Sequence, residues 1–325
     1  MRRVIRNIYI AIVTMSGVLS PAAACAQSYP SKPIRFIAGF PAGGPSDIVT
    51  RAIAKRMSDI LGQPVVVENR SGAGGHIAVE STVKAAADGY TVLLAGSFVT
   101  IGPGLNAKLS YDPVRDLAPI GLIARNQYLL VVHPGVPARS VKELISLAKS
   151  KPGLLNYGSS GVGAPPHLAT ELLKTMAGIN AVHVPYKGAT PVITDLMGGH
   201  IDFYIGGIAG LLPSTKSGKL RALAVTGRKR ASELPEIPTI AEAALPGYEV
   251  DTWFGMVAPA ETSRELITRL NGVIVKVVGE PDMQRFLAAQ GLEPATSTPE
   301  QLGQIIRSEI PKFAKIVKTA GIKPD

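Results

Sequence analysis

Phe40-Pro-Ala-Gly-Gly-Pro-Ser-Asp47 and Tyr157-Gly-Ser-Ser-Gly-Val-Gly-Ala-Pro-Pro-His167 each follow a short apolar run and lead into an amphipathic helical period. Strand, glycine loop, helix is the repeating unit of an open α/β sheet. It is also a ready anion site: first-turn N–H groups lack intrahelical acceptors, and the helix dipole puts partial positive charge beside them. Two such units, far apart in the chain, predict two lobes with a ligand cleft between them.

Outward from the loops, the spacing predicts strands over 33–40, 64–68 and 91–95, and helices over 46–61 and 77–87. The strands are continuous Val/Ile/Leu runs without polar alternation, the pattern of a mostly parallel sheet covered on both faces. The rhythm breaks at 117–133, a long apolar segment with no helix between its halves. It resumes with helices over 141–149, 166–176 and 190–197 and strands over 154–157, 181–185, 201–205 and 220–226. A second break, 248–259, is an extended run holding Trp253. Only helices are expected after it, over 264–278, 282–289 and 299–320. The two extended segments read as crossovers between two doubly wound sheets. Lobe one is expected over 29–124 plus 252–325, and lobe two over 125–251.

In the first loop, Gly43 and Gly44 let the backbone approach a ligand, and Ser46 or Asp47 is expected to cap the helix. A carboxylate fits there if Asp47 points back at the loop N–H groups and stiffens the turn. A bare capped turn is the plainer reading of this stretch taken alone. The second loop joins Gly158, Gly161 and Gly163 to the hydroxyls of Ser159 and Ser160, and Pro165-Pro166 suits a first helical turn. His167 falls in that turn, either packed or donating to a ligand. Neither loop carries Lys or Arg, so an anion would be held by amides, hydroxyls and water. Ser97, Tyr186 and Gly206, at other strand ends, are expected to line the same cleft. Asn69-Arg-Ser-Gly-Ala-Gly-Gly75 reads as a plain turn or a second anion contact, and Asp202 as structural.

Composition narrows the chemistry. The 325 residues are 46% hydrophobic, 18% charged and 5% aromatic, with one Trp and a net charge of +10. That is an ordinary globular balance with few stacking platforms for single-stranded nucleic acid, and no Lys/Arg cluster marks a nucleic-acid surface. Arg2, Arg3 and Arg6, the apolar run 8–19 and Ala24-Cys25-Ala26 read as a secretion signal over 1–26, cut near Ala26. The run is shorter than the ~20 residues a spanning helix needs. Lipidation at Cys25 is the weaker alternative, because Ala22 stands where a lipoprotein box has a Leu-like residue. Cleavage leaves a periplasmic chain without cysteine, which excludes disulfides and thiol chemistry. There is no Walker A string and no G-x-S-x-G; 72–77 fails G-x-G-x-x-G at its last position. The five histidines show no metal-ligand spacing. No cofactor, metal or catalytic residue is expected.

Several strings in order resemble one family nearly end to end: Tyr29-Pro-Ser-Lys-Pro-Ile-Arg35, the 40–47 loop, the 69–75 loop, Asp88-Gly-Tyr90, Asn156-Tyr-Gly-Ser-Ser-Gly161 with His167-Leu168, and Val184-Pro-Tyr-Lys-Gly188. Leu223-Ala-Val225, Pro235-Glu-Ile-Pro-Thr239 and Trp253-Phe-Gly255 complete the set. These resemble the periplasmic solute receptors of tripartite tricarboxylate transporters, the Bug-type extracytoplasmic binding proteins. The resemblance implies a two-lobed, type II venus-flytrap fold that captures a small organic carboxylate and delivers it to membrane permease subunits. It implies ligand contacts from Phe40, Pro41, Ala42, Gly43, Gly44, Ser46 and Asp47, and from Ser159, Ser160, Gly161, Gly163, Ala164 and His167. Ala164 stands where many relatives carry Ser or Thr, and His76 where Asn is more usual. A monomer that is not an enzyme is expected. Two rivals are a receptor serving a signalling partner and a periplasmic enzyme using His167 as acid/base.

Overall fold

The computed structural model describes residues 29–105 and 109–322. The secretion signal expected over 1–26 lies outside the described residues. The chain divides into two units, Met1–Ser31 and Lys32–Asp325, and every helix and strand described lies in the second.

That unit opens with β1 (Ile34–Ala38), α1 (Pro45–Leu61), β2 (Val65–Asn69), α2 (His76–Val83), β3 (Thr91–Gly96) and α3 (Phe98–Leu105). β4 follows as one 16-residue strand, Leu117–Val132. The alternation resumes with α4 (Val141–Ser150), β5 (Asn156–Ser159), α5 (Pro165–Ala177), β6 (Val182–Pro185), α6 (Ala189–Met197), β7 (Phe203–Gly207), α7 (Ile208–Lys216) and β8 (Arg221–Val225). After α8 (Ile240–Ala243) come β9 (Asp251–Pro259), α9 (Arg264–Gly279), α10 (Pro281–Ala289), β10 (Glu293–Pro294) and α11 (Pro299–Thr319).

Local chemistry sets these boundaries. Ser140 caps α4 by accepting from the Glu143 amide, and Thr298 with Gln301 forms a reciprocal capping box on α11. α1 and α5 start on prolines, whose missing N–H costs nothing at a helix start. α3, α7, α8 and β10 are absent from the sequence reading, and the short β10 corrects the expectation that only helices follow the second extended segment. α3 and α7 each begin off a strand and carry an internal proline, Pro103 or Pro213, which reads as an interruption.

The strands form one hydrogen-bonded path, β2-β1-β3-β9-β4-β7-β5-β6, with β8 and β10 also paired to β4. The two expected sheets are joined into one path because β4 pairs with both groups of strands. Leu117 to Gln127 run antiparallel to β9, while Tyr128 to Val132 pair with β7, and β8 takes the other edge from Leu129. An apolar segment without a turn signal has no reason to break its ladder midway. β1, β2 and β3 are mutually parallel, as are β5, β6 and β7.

Hydrophobic packing respects the handover. Leu130, Leu144, Tyr157, Leu173 and Phe203 belong to a core drawn only from residues 128–250. Ile37, Leu93, Trp253, Val257 and Leu302 belong to a core from the chain on either side of that span. A smaller cluster of Ile101, Leu168, Phe313 and Ile316 ties α3, α5 and α11 together. Among the described residues no helix is long and apolar enough to cross a membrane.

Candidate ligand-binding site

The end of β3, the handover segment of β4, the start of β9 and the 157–167 loop enclose a cavity of about 430 Å³. Ser97, Phe98, Ile101 and Leu105 line it beyond β3; Asn126 and Tyr128 come from β4, and Thr252, Trp253 and Phe254 from β9. Ser160, Gly161, Val162, Gly163, Ala164 and Pro165 form the facing wall, and Phe40, Gly74 and His76 complete it. Parallel strands deliver loops to their carboxyl ends, which is why residues so distant in sequence converge there.

Ser97 is the most telling of these. It is 4% exposed, it lines the cavity, and its hydroxyl has no hydrogen-bond partner. An unpaired buried hydroxyl costs about 1–3 kcal/mol, which a ligand acceptor would recover. His76 is held neutral by burial, and its Nδ1 meets the Tyr111 hydroxyl at 2.5 Å. The buried phenol of Tyr111 is a natural donor to Nδ1, which puts the imidazole proton on Nε2.

Two histidines hold the 157–167 loop from beneath. Ser159 Oγ lies 2.6 Å from His183 Nε2 and 3.1 Å from the Gly161 carbonyl. Gly163 N–H donates to His167 Nδ1 at 3.0 Å. The two rings stack with centroids 4.0 Å apart. Burial, then the neighbouring His183, pushes the His167 pKa down to about 4, so the ring is neutral and can accept that bond. Below them the Tyr157 hydroxyl donates to Glu171, which Lys174 pairs at 2.6 Å.

Of the sequence candidates, Phe40, Ser97, Ser160, Gly161, Gly163 and Ala164 line the cavity. Ser159 and His167 do not: they turn inward and brace the loop, with Ser159 fully buried. The Ser159–His183 pair therefore resembles a nucleophile and base, yet offers no accessible hydroxyl. The expected amide cradle at the first loop is corrected. Gly43 N–H donates to Asp47 Oδ2 at 2.9 Å and Gly44 N–H to the Pro41 carbonyl at 3.3 Å. Pro41, Ala42 and Gly43 are solvent-exposed and, with Gly44, Ser46 and Asp47, lie outside the cavity wall. The helix cap is also revised: Gly44 is the N-cap, without a side-chain bond. Asp47 reaches back instead, and also accepts from Asn69 at 2.8 Å and Arg51 at 2.9 Å. Tyr186 is engaged with Asp195 through its hydroxyl, and Gly206 pairs with Leu129 inside the sheet; neither lines the cavity. Asp202 accepts from the Asn156 amide, a structural role.

Sequence reasoning missed Phe98, Leu105, Asn126, Tyr128 and Thr252. His76, noted as a departure from the family pattern, and Trp253, in an extended crossover, were the hints of this wall. A larger cavity of about 530 Å³ lies near β4 and β9, lined by Arg125, Arg228, Glu249 and Asp251 among others. Arg125 pairs with Asp251 at 2.6 Å and Arg228 with Glu249 at 3.3 Å. No glycine-loop residue borders it, so it fits the anion-site reasoning poorly.

Glu309, from α11, joins the two regions: its Oε2 accepts from Trp253 Nε1 and Thr100 Oγ1, each at 2.9 Å. Burial raises its pKa to about 7. A raised carboxyl pKa means that stability from this group is full below the unfolded value and lost as pH rises through about 7. Glu309→Gln is thus expected to stabilise the protein by about 2 kcal/mol at alkaline pH and to leave it nearly unchanged at acidic pH. Thermal melts of both proteins across pH check this; a uniform loss at every pH would refute it.

The description "Tripartite tricarboxylate transporter family receptor" fits residues 49–322. Protein BugT of Bordetella pertussis is 36% identical over 99% of both chains. An R. palustris protein solved with adipate is 38% identical, with a TM-score of 0.78 over 91% of this chain and all of that one. MatC from Rhodopseudomonas palustris, solved with bound malate, is 29% identical, with a TM-score of 0.73 over 89% of this chain and all of that one.

Proposed function

The chain belongs to the tripartite tricarboxylate transporter receptor family, and we propose on that premise that it is a periplasmic receptor holding a small organic carboxylate in the 430 Å³ cavity. The observation that carries this reading is the buried, unpartnered hydroxyl of Ser97, a residue that lines a space walled by the 157–167 loop. The adipate bound by the R. palustris relative and the malate bound by MatC are of the same chemical class. Micromolar affinity needs about 8 kcal/mol, and charge-assisted hydrogen bonds contribute roughly 1.5–3 kcal/mol each. Several neutral donors must therefore act together: the hydroxyls of Ser97 and Ser160 and the amides of Ser160 and Val162, because the Gly161, Gly163 and Ala164 amides already donate within the loop and its helix.

The same reading assigns two lobes, 29–124 plus 252–325 and 125–251, that close over the ligand about the β4 handover and the start of β9. Closure excludes water, strengthens the donor–carboxylate bonds and creates a surface for permease subunits to recognise. The separate cores on each side of the handover support it.

Trp253 is the single tryptophan and lines the cavity, so its fluorescence is a built-in reporter. Titration with adipate is expected to change that emission and to raise the melting temperature as RT ln(1 + [L]/Kd). Ser97→Ala is expected to weaken binding about tenfold, by about 1.4 kcal/mol, without loss of fold. Equal affinity in that variant would remove Ser97 from the site.

A further inference from the structure

The residues around this cavity point to more than carboxylate capture, an inference that rests on the cavity being the ligand site. We propose that it is built for a carboxylate with a flat apolar body, an aromatic monocarboxylate, in preference to a polyanion.

The first argument is the wall. Aromatic residues are 5% of the chain, yet Phe40, Phe98, Tyr128, Trp253 and Phe254 are five of the twenty residues lining this one cavity. Phe40, Phe98 and Phe254 are only half-buried, so part of their apolar surface is left open. Phe40 and Phe98 meet edge to face, with centroids 5.4 Å apart and planes at 86°. A ring entering beside such a pair can make the offset or edge-on contacts that aromatic groups prefer. Ile101, Leu105 and Val162 add aliphatic surface around the same space.

The second argument is charge. Among the described residues none that lines the cavity is Lys, Arg, Asp or Glu. An ionised carboxylate taken from water must have its hydration replaced group by group. The hydroxyls of Ser97 and Ser160 and the amides of Ser160 and Val162 can do this for one carboxylate, the Gly161, Gly163 and Ala164 amides being already paired. A tricarboxylate would bring further charges into an apolar space with no cation to meet them.

The experiment uses the mature chain at neutral pH, with benzoate, adipate and citrate titrated by calorimetry and Trp253 fluorescence. Benzoate is expected to bind at least about tenfold tighter than citrate, with adipate between them. Phe98→Ala is expected to weaken benzoate about tenfold and adipate by no more than about twofold. Phe98→Leu, which keeps the apolar bulk but removes the ring, serves if the alanine variant fails to fold, and is expected to show the same bias. Citrate binding as tightly as benzoate, or both Phe98 variants weakening all acids equally, overturns the proposal while leaving the receptor reading in place. Binding of none of the three overturns both.

Discussion

Gly163→Val is expected to abolish carboxylate binding, with affinity falling about a hundredfold or more, while the circular dichroism spectrum stays that of the parent. Gly163 has φ +74, a left-handed conformation, and an added Cβ would sit 2.8 Å from Leu105 Cδ1. A β-branched residue there costs roughly 1–2 kcal/mol in backbone strain alone, and the clash adds to it. The Leu105 side chain can turn aside, but the left-handed backbone strain stays in the loop, and relieving it by a shift breaks the bond from the Gly163 N–H to His167 at 3.0 Å. The displaced segment is one wall of the cavity, so the donors it presents leave their positions. A hundredfold loss corresponds to about 2.7 kcal/mol, within reach of those combined effects. Gly43→Ala is the contrasting variant. Gly43 also has a positive φ, +79, but nothing lies within 4 Å of its added Cβ. Its cost is expected to be local, about 1 kcal/mol of stability, with affinity within about twofold of the parent. The opposite pattern, in which Gly43→Ala loses the ligand and Gly163→Val keeps it, would move the site to the first loop.

Asp47→Ala is expected to give the largest loss of stability, about 3 kcal/mol, with a melting point several degrees lower. The Asp47 side chain is 4% exposed and gathers bonds from Gly43 N–H, Arg51 and Asn69 between 2.8 and 2.9 Å. Charge-assisted bonds of this kind contribute roughly 1.5–3 kcal/mol each in favourable settings, less for the one to half-exposed Arg51. The alanine variant strands the Asn69 amide and the Gly43 N–H and frees the turn. The bond to Arg51 comes first among the causes that hold its pKa down to about 2. A depressed carboxyl pKa contributes stability above the unfolded value, near 3.9, that is lost as pH falls through about 2. Parent and variant should therefore differ most at neutral pH and converge in strong acid. A constant difference down to pH 2 would show that the carboxylate charge is not what holds the turn.

The elements and the site were legible to different degrees. Each predicted strand and helix has a counterpart in the structure, offset by a few residues, because apolar runs and helical periods are local properties of the chain. α3 and α7 escaped because Pro103 and Pro213 look like breakers when their helices are too short to show a period. Gly161, Gly163 and Ser160 were legible as a glycine-rich stretch before a proline-started helix, but the first loop carries the same signal and only Phe40 of it lines the cavity. Phe98, Asn126, Tyr128 and Thr252 were not legible. Each is an ordinary residue in its own stretch and reaches the cavity only through the pairing of β9 with β3 and β4.

The amino-acid order by itself determined the α/β alternation, the two glycine-rich turns and the family resemblance, since all three are written in short-range spacing. The tertiary structure alone decided which turn lines the cavity. Asp47 and Asn69 lie on different elements, and only folding brings them together to occupy the first turn. His167 and His183 hold the second from below and leave its face toward the cavity. A hydrogen-bond donor can serve one acceptor well at a time, and which acceptor is nearest is a property of three-dimensional neighbours.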